Sequence, residues 1–115
     1  MKLIEINNKE YPLHYGLDFI REMDKRYTVN TNGFTFGVGV QSGVIYLTQG
    51  NPVVLEDIIL SATHTLKQSP SKEEIEQWIE EQEDLEVVFD GFLKSFKSAF
   101  LLKTQTNRIL DEMEK

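Results

Sequence analysis

The chain has 115 residues, 40% hydrophobic and 27% charged, with a net charge of −7; that is enough for one domain with a modest core and is not the composition of a disordered tail. It contains no cysteine, which excludes disulfides, thiolate metal sites and a cysteine nucleophile. A pI near 4.8 argues against nucleic acid as the main partner, because phosphate binding rests on clustered Lys and Arg.

Residues 1–15 read as a β-hairpin. Ile4 and Ile6 alternate with Glu5, Asn7-Asn8 supplies a turn that tolerates positive φ, and Tyr11 and Leu13 alternate on the return. Pro12 lacks an amide hydrogen, so the return is an edge strand. The same opening residues carry charge where a signal peptide needs an apolar run. No stretch reaches the ~20 apolar residues of a membrane span, and a cytosolic chain is expected. Leu17 to Arg26 follow as a helix, with Leu17, Ile20 and Met23 inward and Asp18, Arg21, Glu22, Lys25 and Arg26 toward water. Tyr27 to Phe36, polar and containing Asn30, Asn32 and Gly33, reads as a loop. Residues 37–49 admit two readings. Phe34, Phe36, Val38 and Val40 alternate like a strand, whereas Phe36, Val40, Val44 and Leu47 recur at helical spacing; the helix is preferred.

Asn51 before Pro52 marks an N-cap with proline at the first helical position. Leu55, Ile58, Ile59, Ala62 and Leu66 then fall on one helical face, and Pro70 bars a helix through Ser69. Ser71 with Glu74 three residues on is a capping box, and Ile75, Trp78 and Ile79 form the inward face of the helix it starts. The last long helix begins near Asp84, with Leu85, Val88, Phe89, Phe92, Phe96 and Phe100 on one stripe. Thr104 to Asn107 is expected to interrupt it before Ile109, Leu110 and Met113. The expected fold is mainly α, a small helical domain with an N-terminal β-hairpin. A single domain spans residues 1–115: hairpin 1–15, helical body 16–103, and a C-terminal helix or frayed tail 104–115.

Catalytic and metal chemistry find little support. His14 and His64 are the only histidines, and neither has a nucleophile and a third group at a spacing that would assemble a catalytic set. Gly37, Gly39 and Gly43 match neither the dinucleotide fingerprint nor the P-loop; close helix packing explains them better. Residues 71–90 hold nine acids and one base without the spacing of a calcium loop, and their apolar residues keep helical period, so the acids form a solvated face. Trp78 reads as core. No catalytic residue, cofactor site or metal site is assigned. The segment VVFDGFLKSFKSAFLLK admits three readings: a core helix, an aromatic surface for a partner or second copy, or a membrane-surface helix. Its apolar surface exceeds what so small a chain covers unaided, which favours an interaction protein with Phe92, Leu93, Phe96 and Phe100 as protein-binding residues.

Three stretches, IEINNKEYPLHYGLDFIREMDKRY, QGNPVVLEDIILSATHTL and SPSKEEIEQWIEE, resemble in pattern and order the tail assembly chaperones of long-tailed phages (siphophages) of Gram-positive bacteria, over roughly residues 3 to 85. Asn8 stands where that family more usually has a turn glycine. The resemblance implies a non-enzymatic protein of the host cytoplasm, absent from the mature virion. It would bind the tape measure protein, keep it soluble and help recruit tail tube protein. It also implies self-association, often a longer frameshifted form, and no nucleic-acid or membrane partner. Two rivals stand beside it: a small-ligand-binding or enzymatic domain built on the Gly37–Gly43 segment and His64, and a membrane-surface regulator acting through the Phe-rich helix.

Overall fold

The computed structural model describes residues 3–114. Its elements, in chain order, are β1 (Leu3–Ile6), β2 (Lys9–Pro12), α1 (Leu17–Arg26), β3 (Thr28–Thr31), β4 (Phe34–Gly37), α2 (Gly39–Gln49), α3 (Val53–Ala62), α4 (Lys72–Glu80), α5 (Leu85–Ser98) and α6 (Lys103–Met113). The mainly α architecture with an N-terminal hairpin is as expected.

In the first hairpin Ile4 pairs with Tyr11 and Ile6 with Lys9. Asn7 and Asn8 both take positive φ, 52° and 63°, the backbone that a two-residue turn with matching strand twist requires. Ile4, Ile6, Tyr11 and Leu13 face the core. A lone hairpin is marginal in water, and this one leans on α4. Asn7 Nδ2 donates to Glu74 Oε2 (2.9 Å) while Glu74 Oε1 accepts from the Ser71 amide (3.0 Å) and Ser71 Oγ accepts from the Glu74 amide (3.1 Å). One carboxylate therefore closes the capping box of α4 and holds the turn of the hairpin.

Helix α2 is central, packed against α1, α3, α5 and α6. It approaches α1 so closely that a Cβ on Gly39 would lie 2.3 Å from the Met23 carbonyl carbon, and only glycine fits. Asp24 Oδ1 accepts from the Gly39 amide (2.8 Å), placing a carboxylate from α1 at the positive end of α2. One turn on, Gly43 faces the Phe96 ring and the Met23 methyl. In α3, Leu55, Ile58, Ile59 and Ala62 are all buried, the face read from their spacing. Asn51 Oδ1 accepts from the Val53 amide (3.1 Å) and Pro52 already has helical angles (φ −69°, ψ −19°), so the cap works as its sequence implies.

Four expectations need correction. Residues 28–37 form a second antiparallel hairpin rather than a loop. Its turn has Asn32 at φ 53° and Gly33 at φ 81°. On α1, Phe19 and Met23 are buried while Leu17 is exposed; Phe19 and Met23 stand four residues apart, one above the other on the helix face. Leu66 lies beyond α3, which stops at Ala62. The interruption expected at Thr104–Asn107 falls earlier, at Ala99, whose extended backbone (φ −70°, ψ 129°) ends α5; α6 then runs unbroken through Thr106, which is fully buried. The two periodicities are sequential: the alternation at Phe34 and Phe36 belongs to β4, just before residues 37–49, and the helical spacing of Val40, Val44 and Leu47 belongs to α2.

Three outcomes follow from this packing. Gly39→Ala, despite the better helix propensity of alanine, is expected to lower stability by about 1–3 kcal/mol through overpacking against the α1 backbone, measured by urea unfolding. Ser71→Ala is expected to cost about 1 kcal/mol as a lost cap. The Glu74 carboxyl is held below its ordinary pKa, first by the hydrogen bond from the Ser71 backbone and then by Asn7. Its contribution is thus complete at neutral pH and is lost as pH falls through that depressed value. Thermal melts should weaken on this acid limb in the native chain and less so in Glu74→Gln.

Candidate interaction surface

The phenylalanine stripe of α5 turns mostly inward. Phe92 and Phe96 have no exposed surface and Phe89 has 8%. Phe96 meets Tyr15 edge to face (centroids 5.6 Å apart) and Phe19 likewise (5.8 Å), an aromatic cluster that Gly43 leaves room for. Leu93 is half-buried, beside a shallow groove it shares with Leu47, Phe89 and Asp90. Phe100 lies past the end of α5, where the change of backbone direction at Ala99 takes it off the stripe. It is 80% exposed, with Leu101 beside it at 44% and Lys103 Nζ 5.6 Å from its ring centroid. Of the four residues read as protein-binding, Phe92 and Phe96 are core and do not reach the surface. Phe100 does, and Leu93 is between.

The second exposed apolar site was not expected. Every residue of β3 and β4 is exposed. In their register Val29 pairs with Phe36 and Thr31 with Phe34, so these four side chains share one face of the hairpin. Val29 (46% exposed), Phe34 (68%) and Phe36 (52%) make that face apolar, and the two rings lie 6.4 Å apart. The base of the hairpin is firmly held. Val38 N–H donates to the Tyr27 carbonyl (2.8 Å), the Tyr27 ring packs at a tilt against Tyr46 (centroids 5.8 Å apart), and the Tyr27 hydroxyl donates to Asp57 Oδ2 on α3. Burial, and then the bond to Asp57, push the Tyr27 phenol well above its ordinary pKa, so it stays a donor. Arg26 Nε donates to Ser61 Oγ (3.2 Å) in the same corner. The signal that could have found this hairpin is Asn32-Gly33 between Thr31 and Phe34, a dipeptide suited to a turn with two positive φ values.

The charge is segregated. Residues 27–55 contain no Asp, Glu, Lys, Arg or His, and they include the second hairpin and all of α2. The nine acids of 71–90 sit on α4, on α5 and in the turn joining them. Among the described residues no group of acids and histidines is arranged to hold a metal ion, and no helix is long and apolar enough to cross a membrane. The glycine segment and His64 do not converge. Gly39 and Gly43 face Met23 and Phe96, while His64, in a turn beyond α3 and 52% exposed, has Nδ1 3.8 Å from Glu22 Oε1. His14 lines a separate open cleft of about 400 Å³ with Asp18, Arg21, Ser61 and Thr65, where Arg21 pairs with Asp18 (3.4 Å).

The family model of the phage tail assembly chaperone protein matches residues 3–111. No curated protein and no solved structure matches the chain.

The two fates of the stripe are separable by mutation. Phe96→Ala is expected to cost about 3–5 kcal/mol, the usual loss for a fully buried ring, and Phe100→Ala to leave stability within about 0.5 kcal/mol. Denaturant midpoints of the two variants, read at unchanged slope, check both values.

Proposed function

The chain belongs to the phage tail assembly chaperones, and from that premise we propose that it binds the tape measure protein, keeps it soluble and helps bring tail tube subunits to it. It acts in the host cytoplasm, self-associates while doing so, and is left out of the finished virion. A long helical client exposes apolar faces before the tube encloses it, and a chaperone must cover them reversibly. The observation that carries the client-binding part is the corner between α5 and α6. Phe100 and Leu101 stand exposed there, just past an α5 whose own rings are consumed by the core. Lys97 and Lys103 flank them, so the corner offers an apolar contact with a basic rim, and Leu93 lies on α5, which leads into it. A net charge of −7 keeps the rest of the surface soluble when that contact is filled.

Co-expression with the tape measure protein of the same phage is the test. The native chain should move that client from the pellet to the soluble fraction and co-purify with it. Phe100→Asp combined with Leu101→Asp should reduce the recovered client several-fold while leaving the chaperone's own melting curve in place. A client equally insoluble with and without the native chain overturns the reading. Full recovery with the double variant moves the contact away from this corner.

A further inference from the structure

The second hairpin is a sheet left incomplete. Two strands with all residues exposed do not hold their ladder well in water, yet this pair is pinned at its base by Tyr27, Tyr46 and Asp57 and continued by the Val38–Tyr27 bond. Strand β4 packs against α1, and Gly37 lies so near Asp24 that a Cβ there would be 2.4 Å from its Cβ. The other edge belongs to β3. Since the Tyr27 carbonyl points into the hairpin, so do the backbone groups of Val29 and Thr31, and those of Thr28 and Asn30 point outward. Neither Thr28 nor Asn30 has a backbone partner on that side among the described residues. Natural edges are guarded by Lys, Pro or a bulge; β3, reading Thr-Val-Asn-Thr, has none of these.

We propose that β3 pairs antiparallel with β3 of a second copy of this chain, joining two hairpins into one four-stranded sheet. The geometry is self-complementary. With Val29 opposite Val29 of the other copy, Thr28 of each stands opposite Asn30 of the other, and the outward amides and carbonyls of both meet in hydrogen-bonded pairs. The same register brings Phe36 and Val29 of each copy into one continuous apolar face. The self-complementary edge selects a second copy as the occupant, and charge does not oppose it there: each copy carries −7, but the uncharged run 27–55 lets two such chains meet without bringing acids together. Pairing of two short strands buries less than the ~1,200 Å² of a standard interface, so the dimer is weak and concentration-dependent. This assignment rests on the self-association named above and specifies its surface.

Analytical ultracentrifugation of the full chain over a range of concentrations tests it, alongside amide exchange. The native chain should dimerise, with the Thr28 and Asn30 amides gaining protection as dimer forms. Asn30→Pro removes an outward donor without touching the internal ladder, and Val29→Lys places like charges face to face. Each should weaken dimerisation about tenfold or more at unchanged helical circular dichroism. A native chain that stays monomeric overturns both self-association and this surface. A native dimer whose Thr28 and Asn30 amides exchange freely, or one that survives both substitutions, keeps self-association and overturns the β3 pairing.

Discussion

The contact between Gly39 and the backbone of Met23 sets the rest of the molecule. A helix pair separated by one side chain would leave α2 too far from α1 for Asp24 to reach the Gly39 amide, and the start of α2 would lose its one carboxylate. The same closeness stacks Gly43 over Met23 and opens the space that Phe96 fills from α5. Phe96 in turn completes the edge-to-face cluster with Tyr15 and Phe19. Three elements distant in sequence are thus located by one seam. The seam also aims the second hairpin, because β4 enters α2 through Gly37 and Val38, with Gly37 pressed onto Asp24. The projecting strands are a consequence of how tightly the two helices beneath them pack.

Seven phenylalanines are divided between core and surface in a way that spacing alone does not reveal. Phe19, Phe89, Phe92 and Phe96 are buried, and Phe34, Phe36 and Phe100 are exposed. The aromatic surplus expected on the α5 stripe is not there, since Phe89, Phe92 and Phe96 are buried; the exposed rings are Phe34, Phe36 and Phe100. Phe96 is absorbed because α2 carries Gly43 where it arrives. The excess appears instead on a hairpin and at a helix end.

Much of the architecture was legible because its signals are local. The hairpin of residues 3–12, the capping box at Ser71, the Asn51-Pro52 start of α3 and the limits of α1 each depend on a few neighbouring residues whose chemistry admits little else. The errors share a different cause. β3 and β4 bury neither face, so the inside-outside alternation that identifies strands is missing and their Thr and Asn content reads as loop, despite the Asn32-Gly33 turn. Leu17 against Phe19 is settled by where α1 sits on α2 and α3, which no single-helix pattern contains. The end of α5 at Ala99 has neither glycine nor proline to mark it. Phe100 consequently looked like one more turn of a stripe that had already stopped, and the binding face read from that stripe was half interior.

The charge pattern joins these points into a reason for the design. A tail assembly chaperone must be adhesive in places and must not aggregate, and the two demands conflict if greasy and charged residues are mixed evenly. Here they are separated. Acids crowd α4, the first part of α5 and the turn between them, where one of them, Glu74, also does structural work at the first hairpin. The run 27–55 is free of charge and includes one exposed apolar face; the other lies at Phe100 and Leu101. Each adhesive patch is small, so each contact is weak on its own. Repulsion among the acidic faces opposes any arrangement except the few that bring neutral surfaces together. Weak contacts in restricted geometries can be made and released as a tail is built, a property that a larger greasy surface on an uncharged body would lose to irreversible clumping.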